Sequence, residues 1–542
     1  MANVYAGRRA FISPVIAPLE NLIYKFAGVD PGSEMDWKKY AWSFAVFNIL
    51  GIVLLFIMQL IQGLLPLNPA RFGAVRWDTA LNAAVSFVTN TNWQSYSGEQ
   101  AMGHLVQMAG LAVQNFLSAA AGMAAGIALI RGFVRKGTAA IGNFWSDLTR
   151  SVLYVLLPLA AIWAFVLVSQ GAVQTLGGPA AAQTLEGQTQ SIYRGPVASQ
   201  AAIKVLGTNG GGFFNVNSAH PYENPTPLSD FMQVLGLLLI PAALPFTMGA
   251  MLGNSRQGWA VYLAMLLLFL GGLAAMTAVE LQGNPLLEKV GVAGGVNMEG
   301  KEVRFGVVNS VLFGQSTTVT SCGAVNSMHD SFLPLGGFVM IFNMATGEVI
   351  FGGVGVGLVG MIVYAILTMF LAGLMIGRTP EFIGKKLEAF EMVMSLVVIL
   401  TPALVLLIMS AAAVSTKVGV GSLGNPGPHG LTEIIYAFAS TAGNNGSAFA
   451  GLNAGTVFYN LLTALAMLIG RFATILPALA IAGSLAQKKI IPAGAATFPT
   501  TGALFVLMLI SVIFVVGALT FFPVFALGPL LEHLFLLAGT VF

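Results

Sequence analysis

Nine long stretches of this chain run for about 20 residues or more with no charge, or in one case a single charge, and that leaves few folds open to it. They lie at about 42–65, 105–130, 151–173, 231–253, 258–279, 350–376, 392–414, 457–485 and 503–527. In lipid every backbone polar group has to be satisfied inside the protein, so runs of this length form spanning helices. Composition agrees: 8% of residues are charged, 56% are hydrophobic and 64 of 542 are glycine, which marks a polytopic membrane protein. The net charge of +3 is too small and dispersed to form the basic stripe that nucleic acid requires.

The connections between these runs alternate in character. Those after the first, third, fifth and seventh runs each carry a short polar turn. The most developed is Thr208-Asn209-Gly210-Gly211-Gly212-Phe213-Phe214-Asn215; its relatives are Asn90-Thr91-Asn92-Trp93, Ser321-Cys322-Gly323-Ala324 and Asn444-Asn445-Gly446-Ser447. Successive turns are 118, 113 and 123 residues apart, so the chain reads as four diverged copies of one unit. The expected fold is an all-α membrane protein forming one domain, 1–542. Four helix-pore-helix repeats, at about 42–130, 151–253, 258–376 and 392–485, surround a pseudo-four-fold pore, with an extra C-terminal helix at 503–527.

Basic residues set the orientation. The repeat junctions, the N-terminal segment and the segment before the last helix hold 15 Lys and Arg in about 97 positions, against 8 in about 223 for the turn-bearing connections and the tail. The junctions are therefore expected on the cytoplasmic side and the turns open outward. Segments 81–88, 199–207, 310–320 and 433–442 are expected to be short helices whose negative C-terminal ends point at the turns, where a cation is favoured.

Aligned by position, the turns read Asn90/Thr208/Ser321/Asn444, then Thr91/Asn209/Cys322/Asn445, then Asn92/Gly210/Gly323/Gly446. Glycine at the third position in three copies, with tolerant Asn in the fourth, points to an unusual backbone angle there. Successive carbonyls then line up as they do in a filter that replaces an ion's water shell. Thr, Ser and Asn oxygens are expected to supplement them, and an all-neutral oxygen set suits a monovalent cation better than calcium. Arg471 is the one charge within these runs, and a charge at that depth requires compensation. It is read as a fixed charge gating cations below the filter, against the alternative of a snorkelling side chain. Glu348 precedes a run dense in glycine, Gly352 and Gly353 among them; this is read as an interrupted helix forming a constriction or exit path, against close packing through small residues. His220 and His329 are read as structural hydrogen-bonders, leaving potassium as the only metal expected.

Several functions are excluded. Cys322 is the single cysteine, so an internal disulfide or multi-cysteine metal site is impossible. Six residues, not four, separate Gly377 from Gly384, and Lys386 stands where a phosphate loop needs Ser or Thr, so no ATP site is present and no catalytic site is expected. Arg8-Arg9 resembles a twin-arginine export signal only superficially, because Pro14 and Pro18 break the run that follows.

Taken together, Thr89-Asn90-Thr91-Asn92-Trp93-Gln94, Gly207 through Asn215, Ser321-Cys322-Gly323-Ala324 with Met328-His329-Asp330-Ser331, Gly377-Arg378-Thr379-Pro380-Glu381 and Asn444 through Gly451 resemble the KdpA family. That family is the potassium-binding, channel-like subunit of the bacterial Kdp potassium-transporting ATPase, and the resemblance runs from about Asp36 to the C-terminus. It implies K⁺ as transported ligand and ATP hydrolysed by a partner, not by this chain. The implied partners are a KdpB-like P-type ATPase subunit, a KdpC-like single-span accessory subunit and a KdpF-like small peptide, in the bacterial inner membrane. It also implies that Gln94 lies near the filter and influences affinity, that the stretch after Glu348 is the family's broken helix, and that Arg471 lies near a sideways exit toward the ATPase. Members usually begin with another hydrophobic helix, giving ten spans, whereas residues 1–35 hold no comparable run; the start is truncated or the lineage lacks that helix. The competing expectations are a self-sufficient secondary K⁺ transporter or channel of the four-repeat superfamily, and a membrane scaffold that transports nothing.

Overall fold

The computed structural model describes residues 1–292, 295–347, 349–377, 379–492 and 498–540. Among these, nine helices are long and apolar enough to cross a membrane: Trp37–Leu60, Val106–Val134, Phe144–Ser169, Pro227–Leu252, Ser255–Lys289, Val356–Ile376, Ala389–Val414, Val457–Gln487 and Ala503–Ala538. They fall where the uncharged runs do. One boundary moves: the sixth span begins at Val356, not at residue 350, because Phe351, Gly352 and Gly355 have φ of 61°, 61° and 89° and cannot continue a right-handed helix.

Helix ends follow local chemistry. Thr226 caps Pro227–Leu252 in a reciprocal pair with Ser229, Pro227 occupies the first helical position, and Gly253 closes the far end at φ 68°. Glu388 and Glu391 form the same reciprocal cap on Ala389–Val414, and Thr456 caps Val457–Gln487. Between the two spans of each repeat sits a helix of 10 to 16 residues, Trp77–Val88, Val197–Leu206, Gly306–Val319 or Gly427–Ala442. The third repeat adds Pro334–Ala345, the first half of the interrupted helix.

The second span of each repeat gathers at the centre. Val457–Gln487 packs on Val113–Val134, which packs on Pro227–Leu252; Val356–Ile376 touches all three. Burial separates centre from periphery: 89% of the most apolar window of Val106–Val134 is buried, against 17% for Trp37–Leu60, whose side chains are left for lipid. Ser13–Ala27, the longer N-terminal helix, is amphipathic and short; its Glu20 meets Arg150 and Tyr154 at the junction of the first two repeats.

Candidate ion-binding site

The four short helices end alike. Asn90, Thr208, Ser321 and Asn444 have φ of 66°, 46°, 48° and 49°. The N–H of the next residue then donates to the carbonyl five residues back: Thr91 to Ser86 at 3.0 Å, Asn209 to Lys204 at 2.8 Å, Cys322 to Thr317 at 2.9 Å and Asn445 to Ser440 at 2.7 Å. This is the Schellman ending, with Asn, Thr or Ser where glycine is usual. The unusual backbone expected at the third position is therefore at the first position in all four repeats, and at the third in three, with Asn92 at 55°, Gly210 at 105° and Gly446 at 101°. Gly323 does not share it.

Beyond these endings the turns converge. A Cβ on Gly210 would overlap the backbone of Gly323; on Gly323 it would lie 2.8 Å from the Gly446 carbonyl carbon; on Gly446 it would overlap the Thr91 carbonyl oxygen; on Gly211 it would sit 3.0 Å from Asn92 Cβ. Each turn thus abuts the next, and the fourth closes on the first. Gly323 N–H also donates to the Asn209 carbonyl at 3.2 Å. All four third-position residues line a single cavity of about 860 Å³, which Trp93 and Gln94 also line.

Several side chains of the turns are held by protein partners. Asn90 Oδ1 accepts from Asn209 Nδ2 at 2.6 Å and from Ser118 Oγ at 2.8 Å, while Asn90 Nδ2 donates to the Thr208 carbonyl at 3.1 Å. Asn444 Nδ2 donates to Thr91 Oγ1 at 2.9 Å, and Asn445 Nδ2 to the Thr317 carbonyl at 3.0 Å. Thr208 Oγ1 donates to the Gly207 carbonyl at 2.8 Å and accepts from Val354 N–H at 3.0 Å. These contacts brace the turns against neighbouring segments, whereas Asn92 Oδ1 and Asn209 Oδ1 are buried with no hydrogen-bond partner.

Around this ring lie residues of two kinds. Gln94 grips the second turn with both ends of its amide: Oε1 accepts from Gly212 N–H and Nε2 donates to its carbonyl, each at 3.1 Å. Lys204 was not singled out in the sequence, although a lone lysine in a buried apolar segment is a charge in want of a partner. It is fully buried and ion-paired with Glu223, and it also donates to Asn217, whose Nδ2 in turn donates to the Gly210 carbonyl at 2.5 Å.

Beneath the ring runs the break between Pro334–Ala345 and Val356–Ile376. Gly352 N–H donates to the carbonyl of Val319, the end of the third short helix, at 2.7 Å. The Gly353 carbonyl accepts from Gly357 at 2.8 Å and opens the next helix. A Cβ on Gly355 would overlap the backbone of Gly122, one on Gly122 would lie 2.5 Å from the Val354 carbonyl oxygen, and one on Gly126 would lie 2.9 Å from that of Gly355. Glu348 lies outside the described residues. Arg471 is 2% exposed, so it does not snorkel; its Nη2 donates to the carbonyl of Ser118 at 2.7 Å, and Ser118 Oγ in turn donates to Asn90 Oδ1. His329 Nδ1 pairs with Tyr436 Oη at 2.8 Å, and His220 stacks on Phe214 with centroids 3.6 Å apart.

Four helix-pore-helix units closed about one ring define a four-repeat pore-loop membrane protein. The architecture is shared with the potassium transporter TrkH from Vibrio parahaemolyticus, at a TM-score of 0.53 over 80% of this chain and 83% of that one; at 14% identity the likeness is of fold alone. The family model described as Potassium-transporting ATPase A subunit, KdpA, matches residues 1–534, and the chain belongs to that family. Proteins named potassium-transporting ATPase potassium-binding subunit are 54% identical to it in Sorangium cellulosum, over 98% of this chain and 95% of the relative, and in Bradyrhizobium diazoefficiens, over 100% and 95%. The match starts at residue 1, so the resemblance that the motifs placed from Asp36 onward extends through the N-terminal helices as well.

Proposed function

We propose that this chain binds K⁺ in the ring formed by Asn90, Thr91, Asn92, Thr208, Asn209, Gly210, Ser321, Cys322, Gly323, Asn444, Asn445 and Gly446, and delivers it to an ATP-hydrolysing partner. The observation that carries the reading is that the third residues of four separate turns line one cavity. Their main-chain carbonyls replace the water shell of an incoming K⁺, and the hydrogen-bonded side chains behind them hold the ring open to a fixed size. The segment under the ring, with Gly352 and Gly353, obstructs a straight descent, so the ion continues sideways past Arg471 toward the partner. That partner is a P-type ATPase subunit that binds and hydrolyses the ATP. A single-span subunit and a small peptide complete the complex in the bacterial inner membrane.

Thermal melting of the purified chain in a series of chloride salts tests the binding step. K⁺ raises the midpoint in a saturable way and Na⁺ at equal ionic strength does not; indifference to K⁺ would sink the reading. The TrkH-like fold supports a second reading, a self-sufficient transporter or channel. Vesicles holding this chain alone separate the two, since only the second predicts K⁺ flux without the ATPase subunit.

A further inference from the structure

We propose a second cation site, for a divalent transition ion such as Zn²⁺ or Mn²⁺, held by Asp330, His429 and Glu433 on the outer flank of the potassium ring. One ligand atom from each of the three lies within 4.8 Å of the others, the spacing of groups gathered around one ion. Asp330 follows the third turn, while His429 and Glu433 stand one helical turn apart on the fourth short helix, Gly427–Ala442.

Two further observations point to a ligand. Glu433 is completely buried, and its Oε2 has no hydrogen-bond partner, although Asn425 donates to its Oε1 at 2.8 Å. A buried carboxylate oxygen left unpaired is costly unless a cation meets it. In addition, His429 Nδ1 is held by Glu532 Oε1 at 2.7 Å, and its Nε2 faces Asp330 Oδ1 at 3.2 Å. Carboxylate on one ring nitrogen and a ligand position at the other is the arrangement that fixes a metal-binding imidazole.

Charge bookkeeping favours the same reading. Asp330, Glu433 and Glu532 are 8%, 0% and 6% exposed, and among the described residues no Lys or Arg forms an ion pair with any of them. One imidazolium cannot balance three carboxylates; a divalent ion with neutral His429 nearly does. Nitrogen mixed with oxygen suits Zn²⁺ or Mn²⁺, in contrast to the neutral oxygens of the potassium ring. Bound there, the ion fastens three pieces of the outer rim: the segment after the third turn, the start of the fourth short helix, and the C-terminal helix Leu531–Ala538 that carries Glu532. Gly451, just past the fourth turn, also reaches Asp330 Oδ2 at 3.1 Å.

The test uses the full purified chain in constant K⁺, stripped with EDTA and then dialysed against Zn²⁺ or Mn²⁺. We expect about one equivalent retained by mass spectrometry and a midpoint raised by several degrees. Glu433→Gln removes the buried charge without changing shape; it is expected to melt no lower than the wild type in EDTA, yet to lose the metal-dependent rise. Glu532→Gln leaves all three ligands in place and is expected to weaken affinity about 10–100-fold without abolishing binding. No retained metal in the wild type, or an equal rise in Glu433→Gln, overturns the proposal and leaves a proton on Glu433 as the compensating charge.

Discussion

Replacing Gly446 with alanine tests the ring most directly. At φ 101° an L-residue carries a backbone cost of about 1–2 kcal/mol, and the new Cβ would overlap the carbonyl oxygen of Thr91 in the neighbouring repeat. Non-bonded heavy atoms settle at about 3.5 Å, so one of the two must move by roughly 1.5 Å. Forced overpacking of this kind costs a further 1–3 kcal/mol or so, for a total of about 3 kcal/mol. The cheapest relief is for the Thr91 carbonyl to turn away, and that oxygen is one of the proposed ligands. Only the overpacking part bears on that oxygen, so potassium affinity should fall roughly 5- to 100-fold, at about 1.4 kcal/mol for each factor of ten. The assay is the half-saturating K⁺ concentration in uptake by the assembled complex, with K⁺-dependent melting as the equilibrium check. Gly253→Ala is the control: its φ is 68°, but nothing lies within 4 Å of the new Cβ, so it carries the backbone cost alone and should leave affinity unchanged. A folded Gly446→Ala protein with K⁺ half-saturation within about twofold of wild type would refute the reasoning.

Other substitutions probe the surroundings. Gln94→Ala removes both hydrogen bonds to Gly212, at about 0.5–1.5 kcal/mol each, and should raise half-saturating K⁺ up to roughly tenfold in uptake assays with little effect on melting. Lys204→Met strands Glu223 in the interior and should destabilise the protein by about 3–5 kcal/mol in chemical unfolding, whereas Lys204→Met with Glu223→Gln should recover part of that loss. Arg471→Ala frees the Ser118 carbonyl and, through Ser118, loosens Asn90; uptake rate should drop further than the yield of folded protein, and a parallel loss of both would assign Arg471 to packing alone.

Much of the architecture was legible because membrane burial writes itself into local pattern. Uncharged length located the spans, and the spacing of Asn90, Thr208, Ser321 and Asn444 located the repeats. The helix break was legible too, from glycine density, though its edge at Val356 was not. What escaped was non-local. Thr and Ser rarely adopt left-handed angles, so nothing in Thr208 or Ser321 announced that the first turn position carries the special conformation. At Thr208 the hydroxyl is held by the Gly207 carbonyl and by Val354 N–H, the latter 146 residues away. The pairing of His429 with Asp330 and Glu532 spans 99 and 103 residues, and no periodicity encodes it. The partners that Asn90, Asn445 and Thr208 take, Ser118, Thr317 and Val354, lie on other segments, so their orientation was not legible in the turns themselves.

The break packed against the turns belongs to the third repeat, through the Val354 contact to Thr208 and the Gly352 contact to Val319. A homotetramer would have to repeat any such feature at every quarter, and so would plug its own conduit or leave it clear in every direction. A single polypeptide with unequal quarters escapes that constraint: one wall can be raised while the others stay low. Directionality can therefore be inherited as an asymmetry of covalent order, and a lesion in one quarter need not be echoed in the remaining three.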